Sequence, residues 1–250
     1  MRITVVGCAG SFPSAVSAAS CYLLEAEGFR LVIDMGNGAL GALQRYAPLF
    51  GIDAICVSHL HGDHCLDLGA YAVARNYYGP GGPLAPIPVY APAGAAARLA
   101  PVFGLVEREL IGRFSFSELA PGQLEIGPFR VRTAHVNHTV EAFGFRVEHD
   151  GWSMAYSGDT GESPALVELA RDVDLLLAEA SFPDRPGNPP GVHLSGRQAG
   201  EHAAKAEAGH LVLTHLVATN DPEVSLAEAA GAFSGELSLA SPGECYGPSR

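Results

Sequence analysis

The stretch Ser58–Cys65, SHLHGDHC, sets three histidines and an aspartate within six positions, directly after the apolar run Ile52–Val57. The same arrangement recurs further on. His135 and His138 follow the run Phe129–Ala134 or lie just beyond it, Asp159 follows Met154–Tyr156, and His215 follows Leu211–Thr214. Four apolar runs that each end in imidazole or carboxylate ask for a fold that gathers strand ends at one rim. Histidine offers a metal ion a neutral nitrogen and aspartate an oxygen, both at about 2.0–2.2 Å. In extended chain alternate residues share a face, so His59 and His61 are expected to point one way. Asp63 and His64 then come round the following turn toward a second point, and one cluster serves two ions. Taken singly, each later residue is an ordinary loop histidine or a Gly-Asp turn. The joint pattern favours a metal site.

Short apolar runs alternate with helical patterns along the whole chain. Strands are expected at Ile3–Val6, Cys21–Leu24, Leu31–Asp34, Ile52–Val57, Val89–Tyr90, Phe129–Ala134, Phe143–Val147, Met154–Tyr156, Leu175–Ala178 and Leu211–Thr214. Helical patterns fall near Leu40–Tyr46, Leu66–Tyr77, Ala95–Val102, Pro164–Ala170, Gly196–Ala206 and Ser225–Phe233, with Ser195 and Gln198 forming a capping box for the fifth. The Pro- and Gly-rich segment Gly79–Pro92 reads as an internal loop, a lid or a subunit contact of a homodimer. This mixed order fits an α/β fold in which two sheets are layered within one domain spanning residues 1–250.

Composition narrows the function. Hydrophobic residues make up 48%, enough for a sizeable core, and a net charge of −12 argues against a nucleic-acid groove. A small anionic phosphodiester stays compatible, because bound cations offset charge locally. The five cysteines are odd in number and form no C-x-x-C pair, which suits a cytoplasmic setting. No run of about 18 apolar residues suggests a membrane span. The opening MRITVVGCAG reads as a strand and its turn. It is neither a signal peptide nor a dinucleotide fingerprint.

The pattern H-x-H-x-D-H (His59 to His64), then His, then G-D-T (Gly158–Thr160), then His215 resembles the metallo-β-lactamase superfamily of binuclear hydrolases. That resemblance implies an αβ/βα sandwich of two mixed β-sheets flanked by helices, with two divalent metal ions, usually zinc, manganese or iron being alternatives. His59, His61 and His138 would hold one ion; Asp63, His64 and His215 the other; Asp159 would bridge, and Asp34 would support the site without ligating. His138 is chosen over His135 because it lies six residues before Gly144, as in the tRNA 3′-processing endonucleases and related phosphodiesterases. DLLLAEASF and GVHLSG resemble paired motifs of that branch in which Glu179 and His193 assist proton transfer. Only 14 residues separate Gly144 from Asp159, too few for the endonucleases' RNA-gripping arm.

MRITVVGCAGS, VIDMGNGALGALQRY, SHLHGDHCLDL, AYSGDTG and HLSG together resemble the actinobacterial atypical class II cyclic-AMP phosphodiesterases. The implied activity is opening of a 3′,5′-cyclic nucleotide by a metal-bridging hydroxide. His193 would protonate the leaving oxygen, a metal-bound water or Asp63 being the fallback acid, and Phe143, Tyr77 or Tyr78 would stack on a base. The rivals are an RNA 3′-end nuclease, a carboxylic ester or lactone hydrolase, and a ligand-binding carrier without turnover.

Overall fold

The computed structural model describes residues 1–248. In the first half, β1 (Arg2–Gly10), β2 (Ala18–Ala19), β3 (Cys21–Ala26) and β4 (Phe29–Ile33) precede α1 (Ala39–Leu43) and β5 (Ala54–Cys56). Then come α2 (Gly62–Cys65), α3 (Asp67–Tyr77), β6 (Ile87–Ala91), α4 (Ala95–Val102), α5 (Glu107–Ile111) and β7 (Phe114–Glu118). The second half holds β8 (Gly122–Ile126), β9 (Phe129–His135), β10 (Phe143–His149), β11 (Trp152–Tyr156), α6 (Pro164–Leu169), β12 (Leu175–Glu179) and α7 (Gly196–Ala206). It closes with β13 (His210–Thr214), β14 (Leu216–Val217), α8 (Pro222–Ala230), β15 (Glu236–Leu239) and β16 (Cys245–Tyr246).

Two mixed sheets result. One runs β14-β1-β3-β4-β5-β6-β7, with β2 and β16 also paired to β1; the other runs β15-β13-β12-β11-β10-β9-β8. Each strand serves two layers, because successive side chains face opposite ways. In β3, Tyr22 and Leu24 enter the core between the sheets while Cys21 and Leu23 face the helices on the first sheet. In β12, Leu175 and Leu177 enter the inter-sheet core while Leu176 and Ala178 meet the helices on the second sheet. Burying a large apolar side chain stabilises by about 1.5–3 kcal/mol. Fully buried Phe129, Phe143, Phe145 and Tyr156 therefore do much to hold the sheets together.

Several elements lie outside the expected set. β7 and β8 each lie at one edge of a sheet, as β14 and β15 lie at the opposite edges, and their sequences FSFSE and GQLEI are largely exposed. Strands with one edge in water need no apolar run, so none announced them. α5 is too short to show a periodicity. α8 starts three residues ahead of the expected pattern, because Asp221 accepts a hydrogen bond from Glu223 N and Pro222 sits at the first turn. The Pro-rich segment ends in β6, which pairs with β5 only at Val89 and Tyr90; Pro88, which has no N–H to give, lies beyond the end of that ladder. The capping box of Ser195 and Gln198 is present. Strands β10 and β11 join through Asp150 and Gly151 at φ 51° and 76°, a tight two-residue hairpin turn.

Candidate metal centre

The residues after β5 first run extended and then turn. His61 has ψ 152° and is the N-cap of α2, so His59 and His61 leave the extended segment on one side. Asp63 and His64 are carried round by the helical turn. Two glycines let the backbones close in. A Cβ on Gly36 would run into the Asp63 carbonyl, and one on Gly10 into the His215 carbonyl. Asp34 and His215 are themselves left-handed at φ 59° and 54°, a conformation uncommon outside glycine.

The side chains converge in two groups. His61 Nδ1 stands 3.0 Å from His59 Nε2 and 3.1 Å from His138 Nε2, and Asp159 Oδ2 is 3.7 Å and 4.0 Å from those two Nε2 atoms. In the second group His215 Nε2 is 3.0 Å from Asp63 Oδ2, 3.3 Å from His64 Nε2 and 3.4 Å from Asp159 Oδ1. Tetrahedral ligation at about 2.0–2.1 Å would set ligand atoms roughly 3.3–3.4 Å apart, so either group could hold an ion. Asp159 belongs to both and turns one oxygen to each.

Tautomers follow from the outer contacts. His138 Nδ1 donates to Val192 O at 2.8 Å, His64 Nδ1 to Asp34 Oδ2 at 2.7 Å, and His215 Nδ1 to Ser181 Oγ at 2.7 Å. Each leaves Nε2 without a proton toward the centre, where that of His215 also accepts from Ser11 N at 3.3 Å. With these tautomers the Nε2 atoms of His64 and His215 face each other at 3.3 Å and repel unless positive charge lies beside them. Asp159 Oδ1 is buried and makes no hydrogen bond, a second sign that a positive charge belongs there.

Burial holds His59 well below the usual imidazole range, and His61 and His138 below it, which favours the neutral form that binds metal. Burial alone would do the same to His64, but the charges of Asp159 and Asp34 raise it well above. Asp159 Oδ1, 3.1 Å from His64 Nε2, calls for positive charge there, which a proton or a divalent ion supplies.

Beside both groups stands His193, mostly covered, its Nδ1 2.8 Å from Glu179 Oε1 and its ring stacked 5.6 Å from that of His215. Burial would lower His193, but the Glu179 hydrogen bond and charge outweigh it and raise it. Glu179 is fully buried and also accepts from Thr160 N at 2.8 Å, Ser181 N at 3.2 Å and Ser181 Oγ at 2.9 Å.

All seven expected ligands thus meet, together with Glu179 and His193. His135 does not join them; its side chain is exposed and packs on Phe143 at 4.5 Å. Phe143 is wholly buried between the sheets, so stacking on a base, expected of it from sequence, is excluded. Tyr77 and Tyr78 lie at the far end of α3, about 15 Å along the helix from its start. Ser58, Tyr156, Thr160 and Ser181, to which the sequence assigned no role, hold the carboxylates and imidazoles in place. All four stand inside the stretches SHLHGDHC, AYSGDTG and DLLLAEASF, and that adjacency is the one signal they carry.

Residues 30–216 match the model of the Beta-lactamase superfamily domain. The chain belongs to the metallo-β-lactamase superfamily. An uncharacterized protein of Mycobacterium tuberculosis is 41% identical over 245 residues, covering 95% of this chain and 88% of the relative. The probable metallo-hydrolase YhfI of Bacillus subtilis is 30% identical over 247 residues, covering 97% and 98%. The crystal structure of YhfI superposes with a TM-score of 0.87 at 28% identity, over 98% of this chain and 99% of that one. A ribonuclease Z of Halorubrum lacusprofundi is 26% identical over 300 aligned positions, covering 98% and 96%, which supports the tRNase Z-like branch. The αβ/βα sandwich and the His/Asp clusters are those of a metal-dependent hydrolase family.

Proposed function

We propose that the chain is a phosphodiesterase that opens a 3′,5′-cyclic nucleotide at a binuclear centre. His59, His61 and His138 would hold one ion, and Asp63, His64 and His215 the other. The observation that carries this reading is Asp159, whose two oxygens divide between the two groups at the foot of His193. Two divalent ions there, zinc first with manganese or iron as alternatives, would supply the Lewis acidity that activates water near pH 7 and offsets phosphoryl charge. The chain's own residues do the rest. Asp159 and Asp63 set the negative frame. Glu179 orients His193, which donates a proton to the departing ribose oxygen. Phe182 lies edge-on to His193 at 5.0 Å and limits its swing.

A small substrate is favoured over RNA. The net charge is −12, and the β10–β11 hairpin turns in two residues. The ribonuclease Z match extends over 300 positions, so that relative carries at least 50 residues that this chain of 250 does not. We place the protein in the cytoplasm on the strength of its free cysteines, and we propose a homodimer contacting through the part of Gly79–Pro92 that precedes β6. No helix among the described residues is long and apolar enough to cross a membrane. The test is a screen of cyclic nucleotides, a tRNA precursor, a lactone and bis(p-nitrophenyl) phosphate with metal-loaded protein. Turnover of a cyclic nucleotide, lost on chelation and restored by metal, is expected. Faster cleavage of the tRNA or the lactone would overturn the reading.

A further inference from the structure

The imidazole of His215 and the acid pair Glu179–His193 meet at one hydroxyl. Ser181 Oγ lies 2.7 Å from His215 Nδ1, 3.0 Å from His215 O and 2.9 Å from Glu179 Oε2, and the serine is fully buried. A hydroxyl has one proton and two lone pairs. The carboxylate is the stronger acceptor, so the proton goes to Glu179 Oε2 and a lone pair receives His215 Nδ1–H. Glu179 Oε1 then takes His193 Nδ1–H at 2.8 Å. The chain of contacts is continuous from His215 through Ser181 and Glu179 to His193. The same segment is tied on its other side, since Val192 O, next to His193, accepts from His138 Nδ1.

We infer that Ser181 is a positioning residue that fixes the His215 tautomer for metal binding and, through the same hydroxyl, holds Glu179 in the rotamer that orients His193. Without the Oγ, His215 can move its proton to Nε2, where it blocks ligation. Glu179 loses one of its two contacts on Oε2, and its carboxylate is less firmly oriented toward His193. Packing alone would account for a small buried residue here, but not for a hydroxyl that satisfies two separate functional groups at once.

This inference rests on the proposed metal and acid roles, and the test separates it from the choice of substrate. Metal affinities of the parent, Ser181→Ala and Ser181→Thr are measured by chelator competition. Rates are measured at saturating metal on aryl phosphodiesters with phenols of graded pKa. Ser181→Ala should bind the ion of the Asp63–His64–His215 group about 10–100-fold more weakly, the usual loss when an outer partner of a ligand is removed. The other ion should change less than threefold. The variant should also be more sensitive to leaving-group pKa, with about tenfold greater loss on the poorest leaving group than on p-nitrophenol. Ser181→Thr, which keeps the hydroxyl, should restore both. Equal affinities in parent and Ala variant overturn the inference. So does a weakened ion with unchanged leaving-group dependence, or a Thr variant as impaired as Ala. A parent inactive on every cyclic nucleotide would refute the proposed substrate and leave these comparisons intact.

Discussion

Replacing Asp34 by asparagine isolates what one buried carboxylate does for the metal centre. Asp34 is wholly buried and accepts four hydrogen bonds: Ser58 N on Oδ1 at 2.7 Å, and Ser58 Oγ, His64 Nδ1 and Tyr156 OH on Oδ2 at 2.8, 2.7 and 2.9 Å. Asparagine has nearly the same volume and accepts the left-handed φ of 59° at least as readily, so the backbone is not disturbed. Its NH₂ must face either Ser58 N–H or the cluster around Oδ2. Whichever way it turns, at least one buried donor loses its acceptor, at about 1–3 kcal/mol, and the remaining bonds drop from charge-assisted to neutral strength. Together this destabilises the metal-free protein by roughly 2–5 kcal/mol. For a chain of this size the midpoint of thermal unfolding should fall by roughly 4–20 °C. His64, less firmly oriented, should bind its ion about 10–100-fold more weakly. The ion of the His59–His61–His138 group should be less affected. Calorimetric unfolding of metal-free protein and chelator competition on both ions make the comparison. An Asp34→Asn protein with an unchanged midpoint and unchanged affinities would refute the reasoning.

His193→Ala should slow cyclic-nucleotide opening by about 10²–10⁴-fold, the usual contribution of a positioned acid. Loss on bis(p-nitrophenyl) phosphate should be much smaller, because nitrophenolate leaves unprotonated; equal losses would assign His193 to site structure instead. His138→Ala should remove one equivalent of metal by elemental analysis, while His135→Ala keeps the parent's content, since its exposed ring packs on Phe143 and joins neither ligand group. Of the five cysteines, Cys245 alone should react within minutes with a thiol reagent in the native state, and all five in guanidinium. Cys8, Cys21, Cys56 and Cys65 are buried, and burial pushes Cys65 up to about 12. More than one fast native thiol would contradict that burial.

Interior strands were legible because they are buried on both faces and so read as continuous apolar runs. Leu175–Ala178 and Leu211–Thr214 fall within β12 and β13. The outer strands β7 and β8 were not, since half of each meets water and its sequence carries Ser, Glu and Gln. The short helix α5 failed for want of length, and β6 was only partly read because Pro88 sits inside it.

By sequence alone, the chemistry of the centre was determined: which residues are metal-ligand types, and that each follows an apolar run. Ligand identity is a property of side chains, and strand ends are marked by local pattern, so both survive in one dimension. Tertiary structure alone decided how those residues are divided. His135 and His138 are three residues apart, yet only His138 meets His61, because only there does the chain cross to Val192. Phe143 is an aromatic near the motif, but the alternation of β10 turns it inward between the sheets. Ser181 and Tyr156 are ordinary residues in sequence, and they matter because the fold brings them to His215 and Asp34 across 34 and 122 positions of chain. Contacts of that range depend on where two sheets face each other, and no local pattern encodes them.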